Sequence, residues 1–268
     1  KLNLLLHVVG RRADGYHELQ TVFQFLTVSD WLYFDVQQQT GIALAGDPAG
    51  VPARADLCVR AAPLLRETTN CKAGVMIYND KRLPLGGGLG GGSSDAATTL
   101  LVLNRLWGLG LAPDELARLG LSLGADVPVF VHGHAAWAEG IGERLTLVTP
   151  PETWYLVLVP PVSISTAAIF SDPGLTRDTP RTKIPDLLSG AGHNDCEAVV
   201  RRRYPEVAAA LDWLNNFSAA RLTGTGACVF AAFDTQADAQ AVAAQLPASW
   251  SGLVARGTNR SPLLTALE

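Results

Sequence analysis

The chain has little of several things, and each shortage closes off a class of function. Its 21 Lys and Arg residues are outnumbered by 25 Asp and Glu, leaving a net charge of −4 and no basic footprint that would neutralise a nucleic-acid backbone. No nucleic-acid polymer is expected as a partner. Arg201, Arg202 and Arg203 form the one tight basic run, and consecutive helical residues point in different directions, which suits a solvated helix surface. The four cysteines, Cys58, Cys71, Cys196 and Cys228, lack paired C-x-x-C spacing and the density of a secreted disulfide framework, so free thiols are expected. Apolar runs such as Trp154 to Val159 fall far short of the roughly 20 residues that span a bilayer, and no signal peptide is visible. These absences predict a cytoplasmic protein with no membrane partner. His132 and His134 would share one face of a strand, but no nearby Cys or carboxylate completes a zinc set.

Disorder is excluded as well. The 26 Gly and 16 Pro residues are spread among apolar runs, 48% of the chain is hydrophobic, and 268 residues suffice for a full core and two domains. The chain opens at Lys1, without a methionine and already inside an apolar strand pattern, which predicts residues upstream.

Leu4 to Val9 and Val22 to Val36 read as strands, with the Asp14-Gly15 pair supplying a tight turn that needs positive φ. Leu57 to Arg66 has helical spacing, and Val75 to Tyr78 is a short β-branched and aromatic run. Ala96, Ala97, Leu100, Leu103 and Trp107 then mark one helical face, and a second helix runs from Pro113 toward Gly124. Pro150 and Pro151 interrupt the apolar pattern before the strand Trp154 to Val159 and mark the expected domain boundary. Beyond it, helices at Ile184 to Leu188, Asp195 to Arg203 and Pro205 to Trp213 precede strand Cys228 to Phe233, helix Gln236 to Gln245 and strand Gly252 to Arg256. That succession predicts an α+β layer.

What the chain does have, in unusual amount, is glycine in one place. Six glycines lie between Pro84 and Ala97, followed by Ser93, Ser94 and Asp95 at the start of a helix. Glycine lets main-chain N–H groups approach a ligand without a Cβ, and a helix N-terminus adds unsatisfied donors and positive dipole, a combination that suits a polyphosphate. A flexible linker would not be flanked by an apolar strand and an amphipathic helix. The loop is not a Walker motif, because Gly92 meets Ser93 with no lysine between. Gly86, Gly88 and Gly91 satisfy G-x-G-x-x-G, yet the following helix leads to another helix, so a dinucleotide-binding unit lacks its second strand. The H-R-D and D-F-G motifs of protein kinases do not occur.

The run Pro84-Leu-Gly-Gly-Gly-Leu-Gly-Gly-Gly-Ser-Ser-Asp-Ala96 resembles the second motif of the GHMP kinases, the group that includes galactokinase, homoserine kinase and mevalonate kinase. Lys1-Leu-Asn3 is similar to the first family motif and Leu222-Thr-Gly-Thr-Gly-Ala227 to the third. The resemblance implies an α+β, two-domain GHMP-kinase fold with its active site in the cleft between the domains. Residues 1–149 would form the N-terminal ATP-binding domain and 150–268 a ferredoxin-like C-terminal domain. Asp14-Gly-Tyr-His-Glu-Leu19 and Gly124-Ala-Asp-Val-Pro128 resemble the branch whose small-molecule substrate carries a cytidine diphosphate group, in isoprenoid precursor synthesis; Lys81 to Pro84 and Asn194 to Glu197 match too. Asp56 stands before Leu57 where that branch would have asparagine, in the position of an adenine contact.

On this resemblance the cofactors are ATP and Mg²⁺, with the metal ligands unassigned among Ser93, Ser94 and Asp95. Lys81, Pro84, Gly86, Gly87, Gly88, Leu89, Gly90, Gly91, Gly92, Ser93 and Ser94 would hold the nucleotide. Asp126 would be the base; it stands before Val127-Pro128, which reads as a restricted extended pair, and its position alone favours a simple cap or turn residue. Lys1, which alone carries no signal, would hold Asp126 ionised, orient the hydroxyl or stabilise the transferred phosphoryl group. Tyr16 and Phe170 would sandwich the cytosine, His17 read its edge, and Asn3 and Thr166 line the remaining pocket; by itself Phe170 reads equally as core. A mevalonate- or homoserine-type kinase is the neighbouring reading. A nucleotide-binding protein without chemistry is a further one, against which Asp126 and Lys1 argue. The oligomeric state has no sequence signal.

Overall fold

The computed structural model describes residues 1–38, 41–45, 56–184 and 192–268. They form two compact units, each assembled from separate stretches of chain. The first comprises Lys1–Val28, Pro84–Leu89 and Ala135–Arg260; the second comprises Ser29–Leu83, Gly90–His134 and Ser261–Glu268. Strand and helix are mixed throughout, and the expected α+β class is what the chain adopts.

The first unit is built on a sheet of eight strands. Its members are β1 (Leu2–Arg11), β2 (His17–Leu26), β6 (Ala136–Gly140), β7 (Arg144–Leu147), β8 (Trp154–Val159), β9 (Ala220–Leu222), β10 (Val229–Phe233) and β11 (Ser251–Thr258). The order is β7-β6-β2-β11-β8-β10-β9, with β1 pairing antiparallel to β2. The β1–β2 turn has the expected chemistry. Gly15 takes φ +90°, its N–H donates to the Arg12 carbonyl at 3.0 Å, and the Asp14 carboxylate accepts from the Tyr16 N–H at 3.1 Å.

Helices α5 (Thr166–Phe170), α6 (Cys196–Arg203), α7 (Pro205–Asn215) and α8 (Gln236–Ala243) belong to the same unit. Leu156, Leu158, Val199, Val200, Leu211, Leu214 and Val229 are fully buried together in its main core. The arginine run on α6 lies at the surface, with Arg202 and Arg203 exposed as expected, and each arginine is ion-paired there. Arg202 and Arg203 converge on the buried carboxylate of Asp172 at 2.6 and 3.2 Å, and Arg201 pairs with Asp212. Residues 185–188 of the helix expected at Ile184 to Leu188 lie outside the described residues.

The second unit holds the three-stranded sheet β3-β5-β4, formed by β3 (Trp31–Gln37), β4 (Ile42–Ala45) and β5 (Gly74–Asp80). The apolar run from Val22 to Val36 is therefore two strands in two sheets and not one. Its break is chemical: Asp30 aims one carboxylate oxygen at the N–H groups of Arg82 and Leu83, at 2.6 and 2.8 Å, and the other at the Lys81 ammonium.

With these strands stand α1 (Leu57–Thr69), α2 (Gly91–Leu106), α3 (Pro113–Leu121), α4 (Val127–His132) and α9 (Pro262–Leu267). Ala96, Ala97, Leu100 and Leu103 of α2 are fully buried, as their spacing predicts. Gly120 lets α3 and α4 approach, since a Cβ there would lie 2.5 Å from Val127 Cγ1. Two expectations fail here. Val127-Pro128 opens α4 instead of extending, because proline at the second helical position removes an N–H that needs no intrahelical partner. His132 accordingly ends a helix and does not share a strand face with His134, whose Nδ1 meets the His132 carbonyl at 2.8 Å. No described helix is long and apolar enough to cross a membrane.

Candidate active site

Within the first unit the three sequence motifs meet. Lys1 is only 7% exposed: its backbone nitrogen donates to Leu89 O at 3.0 Å, and its ammonium donates to Asn3 Oδ1 at 2.5 Å and Gly88 O at 3.1 Å. The same ammonium stands 5.2 Å from the centre of the Phe23 ring. Asn3 is bound on three sides, since its N–H donates to Thr223 Oγ1 at 3.0 Å and its Nδ2 to Thr21 Oγ1 at 2.9 Å. The third motif closes on the second, with Cys228 N–H donating to Gly87 O at 3.1 Å. Two glycines are obligatory at this contact. A Cβ on Gly87 would lie 2.5 Å from Cys228 Sγ, and one on Gly88, whose φ is +78°, would overlap the Thr223 carbonyl oxygen. Asn194 anchors the third motif by donating to Leu222 O at 2.9 Å and Gly224 O at 2.8 Å, which gives its matched segment a positioning role.

The residues expected to bind a base are also in this unit. Phe170, the last residue of α5, stacks on His17 with ring centres 5.1 Å apart and planes 25° apart, and is a partly buried residue packed against the core. Tyr16 stands 60% exposed. Thr166, at the start of α5, shares a hydrogen bond with Thr225 of the third motif at 2.9 Å. Arg177, which no local pattern marks, donates to His17 Nε2 at 3.1 Å. Pro84 and Gly86 precede the contact, Pro84 half-buried and Gly86 exposed with φ +65°.

The chain passes into the second unit between Leu89 and Gly90. Gly90 takes φ +73° as the residue before α2, and the first helical bond runs from Ser94 N–H to Gly90 O at 2.9 Å. The N–H groups of Gly91, Gly92 and Ser93 therefore have no acceptor within the helix, the arrangement an anionic phosphate completes. Beneath them lies a buried charge cluster. Lys81 Nζ contacts Asp30 Oδ2 at 2.5 Å and Asp95 Oδ2 at 2.7 Å, and Asn79 Nδ2 donates to the same Asp95 oxygen at 3.0 Å. Burial raises the Asp95 pKa to about 6 against the opposing attraction of Lys81. Burial disfavours the Lys81 charge, but the two carboxylates outweigh it and raise its pKa.

Asp95 is thus committed to Lys81 and Asn79. Ser93 and Ser94, half-buried on the first turn of α2, carry the hard oxygen donors that remain in the glycine motif. Among the described residues no cluster of three or more His, Cys, Asp or Glu could hold a metal. Asp56 is spent on the backbone: it caps α1, its carboxylate accepting from Cys58 N–H at 2.7 Å. Asp126 occupies the residue before α4 in a helical conformation. Lys1 lies in the first unit and Asp126 in the second.

Comparison with known proteins decides the family. Sequence models of the GHMP kinases N terminal domain and the GHMP kinases C terminal match residues 56–134 and 182–252. The chain belongs to the GHMP kinase family. As a GHMP kinase it is 59% identical over 268 residues to a 4-diphosphocytidyl-2-C-methyl-D-erythritol kinase of Pseudomonas savastanoi pv. phaseolicola, covering 100% of this chain and 93% of that one. A kinase of the same name from Shewanella loihica is 56% identical, over 100% of this chain and 95% of its own. Among solved structures, a 4-(cytidine 5'-diphospho)-2C-methyl-D-erythritol kinase superposes with a TM-score of 0.82 at 31% identity, covering 96% of both chains. The mevalonate kinase of Methanococcus jannaschii shares the fold, with a TM-score of 0.67 at 16% identity over 96% of each chain.

Proposed function

We propose that this chain transfers the γ-phosphoryl group of ATP to the 2-hydroxyl of 4-diphosphocytidyl-2-C-methyl-D-erythritol, a step of non-mevalonate isoprenoid precursor synthesis. The observation that carries this reading is full-length identity of 59% to a kinase of that name, on a chain whose three family motifs converge on one glycine loop.

The roles follow from what each group can do. The free N–H groups at the start of α2 and the glycines from Gly86 to Gly92 hold the ATP phosphates, and Lys81 and Pro84 border the nucleotide. Ser93 and Ser94 are the residues that would help hold Mg²⁺, which would supply charge screening for the phosphate oxygens. Asp126 accepts the hydroxyl proton. Lys1 is supported as an electrostatic stabiliser of the phosphoryl group because its buried ammonium is already fixed on the loop carbonyl of Gly88. Asn3 and Thr166 line the substrate side, and His17, Phe170 and Tyr16 receive the cytosine. Transfer of this kind is mostly positioning and charge stabilisation, so a rigid loop matters more than covalent chemistry.

The test is direct. With ATP and Mg²⁺, the purified protein should release ADP in step with phosphorylation of the cytidine substrate and should leave mevalonate and homoserine untouched. ADP formation with either of those alcohols and none with the cytidine substrate would overturn the reading.

A further inference from the structure

Arg177 makes four side-chain hydrogen bonds within the first unit and lies in none of the family motifs. Its Nη1 donates to Leu175 O at 3.0 Å, and its Nη2 donates to Phe170 O at 2.9 Å and Asp172 O at 2.7 Å. A fourth donor, Nε–H, points at His17 Nε2 at 3.1 Å. A guanidinium has five donors and no acceptor, so Nε2 of His17 can only accept, and a neutral ring must then carry its proton on Nδ1.

We infer that Arg177 is a specificity-determining positioning residue, which locks His17 as the Nδ1–H tautomer and so presents a fixed donor to the base of the substrate. Through the Phe170 carbonyl the same guanidinium holds the segment whose ring stacks on His17. Burial, then the charges of Arg177 and Arg11, lower the His17 pKa and keep the ring neutral. The inference rests on the proposed reading of His17 and Phe170 as the cytosine site.

The chemistry selects one pyrimidine. Cytosine offers a lone pair at N3, which a fixed N–H donor satisfies; uracil offers N3–H, which would meet that donor head-on and leave both unpaired. A histidine free to exchange tautomers could accept from uracil instead. Arg177 thus converts an ambivalent ring into a one-way reader.

The experiment uses the whole enzyme labelled with ¹⁵N-histidine and read by long-range proton–nitrogen correlation, with His17→Gln to assign the signal. Wild-type protein should show His17 neutral and protonated at Nδ1, and Arg177→Lys should show a mixture of tautomers. In Arg177→Lys the KM for the cytidine substrate should rise by about ten- to a hundredfold with the KM for ATP nearly unchanged. Its preference for the cytidine over the uridine form of the substrate, in kcat/KM, should shrink by at least about tenfold. A wild-type ring protonated at Nε2, a charged ring, or a variant with undiminished preference would overturn the inference. Should Arg177→Lys fail to fold, the wild-type spectrum decides alone. An Nδ1–H ring in a protein that ignores the cytidine substrate would sink the cytosine reading and leave the tautomer lock intact.

Discussion

Thr223 closes over Gly88: the threonine hydroxyl donates to the Gly88 carbonyl at 3.4 Å, and its own carbonyl oxygen occupies the space a Gly88 side chain would need. A left-handed φ and a blocked Cβ act together there. Gly88→Ala should lose about 2–4 kcal/mol of stability and nearly all turnover. Gly92→Ala meets only Leu57, at 3.6 Å, and should melt close to wild type while weakening ATP. Paired thermal melts and ATP titrations check this, and equal melting of the two variants would contradict it.

Asp126→Asn keeps size and hydrogen-bonding shape while removing the basic oxygen. ATP affinity by calorimetry should stay close to wild type, and kcat should drop by roughly 10²–10⁴-fold. Unchanged turnover would remove Asp126 as the base.

Asn194 spends both amide hydrogens on the third motif. Asn194→Ala would leave the Leu222 and Gly224 carbonyls and the Cys196 N–H without their buried partner, at a cost of roughly 2–4 kcal/mol. Denaturant midpoints measure the loss. A raised KM for ATP in the same variant would show that the clasp also holds the loop.

His7, a residue of β1, has its Nδ1 buried and, among the described residues, unpartnered, and its ring centre stands 4.4 Å from that of His193. Burial, followed by the neighbouring His193, lowers its pKa below the ordinary 6.5, against a smaller opposing pull from Asp195. The unfolded chain therefore takes up the proton first, so this contribution to stability is complete above pH 6.5 and falls away as pH drops toward the folded value. His7→Phe should flatten the acid decline. Urea midpoints between about pH 5 and 8 test it, and parallel curves for wild type and variant would rule His7 out.

Much of the fold and of the site is legible in the residues themselves, and the reason is local chemistry. The Asp14-Gly15 turn, the buried stripe of α2 and the glycine loop each declare themselves within a few residues. What stays hidden depends on distant partners. Asp30 looks like one polar residue in an apolar run until Lys81, Arg82 and Leu83 arrive 51 to 53 positions later in sequence. Arg177 sits in a turn-rich stretch without periodicity, so nothing nearby announces its bond to His17 at a separation of 160. Asp126 misleads in its surroundings, because the Val127-Pro128 pair obeys helix-start rules over the usual extended preference before proline. Asp56 shows the reverse: its capping bond to Cys58 spans only two residues, although the family resemblance marks the position as an adenine contact and not as a cap.

The Asp30 carboxylate has a practical consequence for protein engineering. The glycine run is a tempting module to lift from one protein into another, yet the strut that fixes its lead-in segment is more than fifty residues upstream, and the wedge against Gly88 comes from the far end of the chain. A graft of residues 84–97 alone would carry the signature and leave its scaffolding behind.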